Sequence, residues 1–194
     1  MNIADRLVHS IDDAYANKLL SALMHALAAV DGTGHKLYPN INNNRDRFIT
    51  TIESYYWILE PMLAIGINLD ETTFDWIKLE KRAAKFSEVI YEIFRCNLAH
   101  GTEIPSGFTV HQANDPKLRV FEMGQQSLSL PSTLIYGLCA IALFSNVNKE
   151  QKSNTDYWLS QGDMHFTLDD WWGRESDARI CFSTVRMPRI TMKF

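Results

Sequence analysis

The sequence predicts a mainly α-helical protein, an up-and-down bundle of about four main helices with small β additions. Apolar residues recur every three or four positions through four long segments, as they do in amphipathic helices. Polar stretches at 32–44 and 149–154 interrupt this pattern. A chain of 194 residues that is 46% hydrophobic and 22% charged also has the size and composition of an ordinary globular domain.

The first helix is predicted over residues 10–32. Ser10 and Asp13 form a capping-box pattern at its start, and Gly32 is a typical helix-ending residue. Its apolar stripe consists of Tyr15, Leu19, Leu23, Leu27 and Val30. Residues 32–44 then form a long polar loop, and we expect an Asn at its end to cap the next helix.

Two further helices are predicted after this loop. The second runs from about residue 45 to residue 60, and Pro61 ends or kinks it. The third begins at a capping-box pattern formed by Thr72 and Asp75 and continues to about His100. Its core-facing side is predicted to carry Leu79, Ala83, Phe86, Ile90, Ile93 and Phe94.

The second half of the chain combines one helix with short strands. Residues 108–111 and 118–123 alternate apolar and polar side chains around a turn, which predicts a β-hairpin insert at about 107–124. Pro131 opens a fourth helix to about residue 147. This helix is apolar on most sides, so we expect it to be the most buried.

These elements predict a helical bundle over residues 1–150 and a small C-terminal α/β appendage over 151–194, packed on the same domain. Short strands are expected in the appendage at 164–168, 179–185 and 189–194.

The charge distribution limits the function classes. A net charge of −4 argues against a general nucleic-acid coat protein, since such proteins carry a basic excess. Residues 174–194 nevertheless hold five basic and two acidic side chains, a balance of +3. This segment is either an RNA-contacting edge or, more commonly, a solvated edge strand protected by its charges.

Cysteine spacing and hydropathy predict a cytoplasmic protein without a membrane segment. Cys96, Cys139 and Cys181 lie far apart in sequence, as expected for reduced thiols rather than a disulfide framework. The longest apolar run, at 134–144, is about half the length that a bilayer-crossing helix needs.

The strongest candidate for a functional site is Phe-Arg-Cys-Asn-Leu-Ala-His-Gly at positions 94–101. The planar guanidinium of Arg95 can bind phosphate through two hydrogen bonds, and the imidazole of His100 can transfer a proton near neutral pH. On a regular helix their side chains point about 140° apart. The structural alternative is that Arg95 pairs with Glu92 or packs on Tyr91, while His100 caps the helix end.

This octapeptide at a helix end, followed by a β-prone insert and a hydrophobic helix, resembles the HEPN superfamily. Its members are helical bundles with an Arg, four to six residues and a His. In nuclease members this motif is a metal-independent endoribonuclease site, which the same motif of a second subunit completes. Cys96 stands where those members usually have Asn, Asp or His, and non-catalytic members serve as binding or partner modules.

The resemblance implies a metal-independent endoribonuclease that acts as a homodimer, in a bacterial defence or toxin–antitoxin setting. His100 would act as the acid or base, Arg95 would hold the phosphate and Asn97 would bind phosphate or sugar. RNA and an antitoxin or another protein would be its partners. The alternative is a catalytically inactive HEPN-like module for dimerisation or for binding a ligand or partner.

We expect neither a cofactor nor a metal ion. The other histidines have no i, i+4 pairing and no Cys or carboxylate at metal-ligand spacing, so we interpret them as ordinary surface or core residues. Asp169 and Asp170 are more typical of an acidic helix start than of a metal pair. The chain also has no Gly-rich dinucleotide fingerprint and no Ser-His-Asp pattern.

Overall fold

A computed structural model describes residues 2–63, 66–79, 81–113, 121–185 and 188–193. About 52% of these residues are helical and 19% lie in strands, which form three small sheets. The fold is therefore mixed α/β, and the predicted four-helix bundle is wrong. Several long apolar patterns are divided between two elements, and one predicted helix contains a strand pair.

Two helices replace the predicted first helix. α1 spans Ile3–Tyr15 and α2 spans Leu19–Leu37. Asn17 between them has a φ of 58°, a left-handed conformation that Asn tolerates and that reverses the chain. Ser10 does not cap a helix, because its buried hydroxyl donates to the carbonyl of Ala22 across the α1–α2 contact. The cap of α1 is instead formed by Asn2 with Asp5.

α3 (Asn44–Ser54) and α4 (Tyr56–Leu63) follow a short connection. The Asn43 side chain accepts hydrogen bonds from the N–H groups of Arg45 and Asp46, which confirms the expected Asn cap. α4 continues two residues beyond Pro61, so this proline does not end the helix.

The predicted third helix is helical only in its second half. β1 (Thr73–Leu79) and β2 (Arg82–Lys85) form an antiparallel hairpin, with Lys81 in the left-handed region at a φ of 66°. The first half of the segment is rich in β-branched and aromatic residues, which favour strands. Thr72 is followed directly by β1 and not by a helix, so the predicted Thr72 capping box is wrong.

The remaining part of this segment is one helical rod with a π-helical middle. It consists of α5 (Phe86–Val89), a π-helical stretch (Ile90–Arg95) and α6 (Cys96–His100). Gly101 ends the rod in the left-handed conformation, with a φ of 68°, as its sequence position predicts.

The two strands of the predicted β-hairpin insert do not pair with each other, and each pairs with a third strand instead. β3 (Phe108–His111) lies parallel to β5 (Ser127–Pro131), and β4 (Glu122–Gly124) lies antiparallel to β5. Residues 118–120 of the predicted second strand lie outside the described residues. Alternation identified strands here, but it does not specify which strands pair.

α7 (Thr133–Phe144) is central: ten of its twelve residues are buried, and it packs against α1, α2 and α4. A Cβ atom on Gly137 would lie 3.0 Å from the Leu59 side chain, so this glycine permits the close approach of α4. The predicted fourth helix is present and deeply buried, but it begins at Thr133 rather than at Pro131, and it is not the most buried, since seven of the eight α4 residues are buried. A 3₁₀ turn, Asn146–Asn148, follows α7.

The C-terminal region contains a hairpin and two helices. β6 (Trp158–Gln161) pairs with β7 (Met164–Thr167), and α8 (Leu168–Trp171) and α9 (Glu175–Ser183) follow. The strand predicted at 179–185 is therefore wrong. Ala178 and Phe182 are buried four positions apart, which is a helical spacing.

The end of the chain makes isolated bridges rather than a strand, Ile190 with Ile67 and Lys193 with Thr73. The C-terminal region shares aromatic contacts with the helices, because Phe144 of α7 packs edge-on against Phe166 and Phe182.

Candidate functional site

Arg95 is held by two neighbours at the end of the π-helical stretch. Its Nη2 donates to Asp31 Oδ2 of α2 at 2.6 Å, and its guanidinium lies 5.4 Å from the centre of the Tyr91 ring. The side chain is only 18% exposed. Burial is the largest single effect and disfavours the charge, but the hydrogen bond to Asp31 and the charge of that carboxylate, with smaller contributions from Tyr91 and Cys96, together outweigh it and raise the pKa of Arg95. The predicted Tyr91 contact is confirmed, whereas Glu92 binds Arg45 instead.

The pocket that contains this ion pair, which we call the Arg95 pocket, has a volume of about 220 Å³. Arg6 of α1, Asp31 and Arg95 supply its charges, and their sum is +1. The remaining lining is apolar and consists of Met24, Leu27, Ala28, Leu98 and Ala99.

Arg6 links the Arg95 pocket to a histidine pair. Its Nη1 lies 3.0 Å from His25 Nδ1, and because a guanidinium has no acceptor, Nδ1 must accept the bond. The ring hydrogen of neutral His25 is then on Nε2, which lies 3.8 Å from Asp13 Oδ2. Burial, Arg6 and His9 lower the pKa of His25 and outweigh the opposite effect of Asp13.

His100 does not join Arg95. It is exposed at the end of α6 and is not among the residues that line the Arg95 pocket, in agreement with the large angular offset expected on a helix. A single chain therefore does not bring the two predicted catalytic residues into one pocket.

Asn97, the predicted substrate-binding residue, is occupied by the helix itself. Its Nδ2 donates to the carbonyl of Ile93 at 2.8 Å, and its Oδ1 accepts from the Thr102 hydroxyl at 2.9 Å. These bonds stabilise the end of the rod, so a substrate would have to compete with them.

A second and larger pocket lies among α1, α4, the start of α7 and β6, and sequence reasoning missed it. We call it the aromatic pocket; its volume is about 570 Å³. Its described lining consists of Ile11, Asp12, Tyr15, Met62, Gln112, Ala113, Ser132, Thr133, Tyr136, Tyr157, Trp158, Leu159 and Ser160. Tyr15 was predicted to lie in the core, but it is 93% exposed, and Trp158 is 57% exposed.

Two polar groups of the aromatic pocket have unused hydrogen-bonding capacity. The Tyr157 hydroxyl donates to Asp12 Oδ1 at 2.6 Å, and this bond raises the pKa of Tyr157. The other carboxylate oxygen, Oδ2, has no hydrogen-bond partner in the described part of the chain. The Oγ1 of Thr133 is buried and likewise has no partner among the described residues. No motif marks the lining residues of this pocket, which come from five separate segments of the chain.

The basic C-terminal segment is largely neutralised. Arg174 pairs with Asp177 at 2.7 Å, and Arg179 with Glu175 at 2.8 Å. Arg189 donates to the nearly buried Glu60, also at 2.8 Å. Arg186 lies outside the described residues. These pairs favour a structural role for the segment over RNA contact.

The described ranges contain neither a metal-ligand cluster nor a helix able to span a membrane. No group of three or more His, Cys, Asp or Glu side chains there is placed to hold a metal ion. None of the helices in these ranges combines the length and hydrophobicity that a membrane crossing requires. All three cysteines are free thiols, as predicted, and burial raises the pKa of Cys139 to about 12.

Comparison with known proteins identifies one family. The chain is 29% identical over 177 residues to the uncharacterized proteins Rv1289 of Mycobacterium tuberculosis and Mb1320 of Mycobacterium bovis, an overlap of 89% of this chain and 84% of each relative. No solved structure matches the chain. The family model described as Rv1289 matches residues 2–194, and the chain therefore belongs to the Rv1289 family.

Proposed function

We propose that this protein binds a small organic ligand in the aromatic pocket. The observation that carries the proposal is the pocket itself, a cavity of about 570 Å³ with mainly apolar walls and a few polar groups. Pockets for small molecules typically have volumes of roughly 300–1,000 Å³ and the same mixture of apolar walls and sparse polar groups.

The surface around the pocket supports this function. Tyr15 and Trp158 keep large aromatic side chains exposed at its edge, where the fold gains nothing from their burial. A ligand in the pocket would cover part of this apolar surface, and removal of such surface from water is a main source of binding free energy.

A neutral fluorescent dye, N-phenyl-naphthylamine, tests the proposal. We expect its emission to rise when it enters the apolar pocket of the wild-type protein. Trp158→Ala and Tyr15→Ala should each weaken dye binding, the former by about tenfold, because exposed aromatic side chains dominate such contacts. Both side chains are largely exposed, so the fold should tolerate these changes.

Ile180→Ala is the matched control, because Ile180 is 67% exposed and does not line the pocket. Its dye affinity should equal that of the wild type. The proposal is wrong if the wild-type protein does not bind the dye, or if all three variants bind it equally well.

A second candidate is the metal-independent endoribonuclease that the HEPN resemblance implies. The observation that favours it is the joint presence of Arg6 and Arg95 in one pocket with a net positive charge, which suits a phosphate group. Phosphate would have to displace Asp31 from Arg95. A homodimer would have to bring His100 of the second subunit to this pocket, and Asn97 would have to leave its helix contacts to bind RNA. An antitoxin or other protein partner and a cytoplasmic defence role belong to this second proposal.

RNA cleavage in EDTA tests the nuclease proposal. Wild-type protein should leave cyclic-phosphate ends, and Arg95→Ala and His100→Ala should each abolish cleavage. His100 is exposed at a helix end, so we expect His100→Ala to keep the fold, which its circular dichroism spectrum checks. Equal background cleavage by all three proteins would refute this candidate and leave ligand binding unaffected.

A further inference from the structure

We infer that the ligand of the aromatic pocket is a small organic cation, an ammonium group on an apolar body. This inference rests on the proposed ligand-binding function and specifies its chemistry. Three independent features of the pocket support it: its charge, its aromatic side chains and its apolar lining.

The charge of the pocket comes from one carboxylate. Asp12 is the only charged residue in the described lining, and Tyr157 occupies just one of its two oxygens. Asp12 is exposed, so its second carboxylate oxygen is open to solvent and to an incoming ligand. Asp13, the next residue, has a cationic partner in Lys18 at 3.9 Å, whereas Asp12 has none among the described residues. A ligand cation would complete this pair through Oδ2.

The aromatic side chains provide a second attraction for positive charge. The face of an aromatic ring attracts a cation within about 6 Å of its centre. Elsewhere in the molecule the chain supplies such cations itself, since Arg179 lies 4.4 Å from the centre of the Trp57 ring and Arg174 lies 4.6 Å from that of Trp171.

The rings of the aromatic pocket differ from Trp57 and Trp171 in this respect. Among the residues that the structure describes, no Arg or Lys lies over Tyr15, Tyr157 or Trp158. His165 lies edge-on to Trp158 at 6.4 Å. These rings therefore remain available to an ammonium group held by Asp12.

The apolar lining accommodates the rest of the ligand. Ile11, Met62 and Leu159 contribute aliphatic surface, and the buried Thr133 hydroxyl offers one hydrogen bond to a polar atom of the ligand. An anionic ligand of the same shape is disfavoured because its charge would meet the Asp12 carboxylate, and the described lining of the pocket includes no Arg or Lys.

Three probes with one body and different head groups test the inference. Para-tert-butylbenzylamine is cationic at neutral pH, the corresponding alcohol is neutral and the corresponding benzoate is anionic. In competition with the fluorescent dye, the amine should bind wild-type protein about tenfold more tightly than the alcohol, and the benzoate should bind most weakly.

Asp12→Asn should remove most of the preference for the amine, because the amine loses an ion pair whereas the alcohol loses at most one hydrogen bond. Asp163→Asn is the matched control, since Asp163 is exposed in the β6–β7 turn and does not line the pocket. It should retain the full preference.

The outcomes separate this inference from the function on which it rests. If the alcohol competes as well as the amine, or if Asp12→Asn retains the preference, the cation inference is wrong and ligand binding stands. If the amine does not displace a dye that does bind, the inference is also wrong. If the dye itself does not bind, the proposed function fails first.

Discussion

The Arg95 pocket and the aromatic pocket differ in how their polar groups are satisfied. In the first, Arg95 binds Asp31 and Arg6 binds His25, so each guanidinium has a partner within the chain. In the second, Asp12 has a free oxygen and the buried Thr133 hydroxyl has no partner among the described residues. Internal pairing indicates a structural role, whereas unused polar groups in an apolar cavity indicate a ligand.

Internal pairing continues along the helical rod that carries Arg95. The Glu88 side chain is only 3% exposed and accepts hydrogen bonds from Arg82 and Arg45 at 2.6 and 3.0 Å. Burial alone would raise the pKa of Glu88, but these bonds and the backbone N–H of Lys85 lower it to about 2. The charge of Glu88 therefore stabilises the fold through partners within the chain. The charge of Asp12, by contrast, is proposed to bind a ligand.

Replacement of Glu88 should give the largest effect. Glu88→Gln should lower the free energy of unfolding at pH 7 by about 3 kcal/mol, the equivalent of a pKa lowered from 4.5 to about 2. Because the folded-state pKa is below the unfolded one, this contribution is present above about pH 4.5 and disappears as the pH falls toward 2. Urea denaturation between pH 2 and pH 7 measures it.

Glu92→Gln is the control for this experiment, because Glu92 is 31% exposed and binds only Arg45 among the described basic residues. It should cost less than about 1 kcal/mol. A difference between wild type and Glu88→Gln that does not change with pH would show that the charge of Glu88 is not what stabilises the rod.

A matched pair of carboxylate changes compares the two pockets directly. Asp31→Asn should lower the free energy of unfolding by about 1–2 kcal/mol, because the largely buried Arg95 loses its charged partner. Asp12→Asn should change it by less than about 0.5 kcal/mol, since its amide oxygen can still accept from Tyr157. Thermal or urea unfolding of both variants measures this difference. Equal losses of unfolding free energy would contradict the comparison of the two pockets. They would show that Arg95 depends on its partner Asp31 no more than Tyr157 depends on Asp12.

Helix-capping residues in the sequence predict that Arg95 lies near a helix end, but they do not predict its ion-pair partner. Gly101 and Asn43 were recognisable because helix caps depend on neighbours in sequence. The partner of Arg95 could not be predicted in this way, since Asp31 lies 64 positions away in sequence and the i, i+3 rule predicts Glu92.

The failures in fold prediction have the same physical origin. Leu79, Ala83 and Phe86 fall at helical intervals, which predicts a single helix. The first two lie in the β1–β2 hairpin, however, and only Phe86 lies in a helix. The parallel β3–β5 pairing is non-local and has no signature in the sequence of either strand. The aromatic pocket unites residues from Ile11 to Ser160, so no window of sequence contains it.

The smallest predicted effect concerns His25, which tests whether the charges around the Arg95 pocket are balanced internally. Arg6 lowers the pKa of His25 and Asp13 raises it. Arg6→Gln should therefore move the imidazole titration, followed by NMR, to higher pH, and Asp13→Asn should move it to lower pH.

Because the folded-state pKa lies below 6.5, His25 contributes stability above that pH and loses it as the pH falls. Arg6→Gln should weaken this acid sensitivity by a fraction of a kcal/mol. If neither variant shifts the titration, Arg6 and Asp13 do not control the pKa of His25, and the proposed internal balance of charges is wrong.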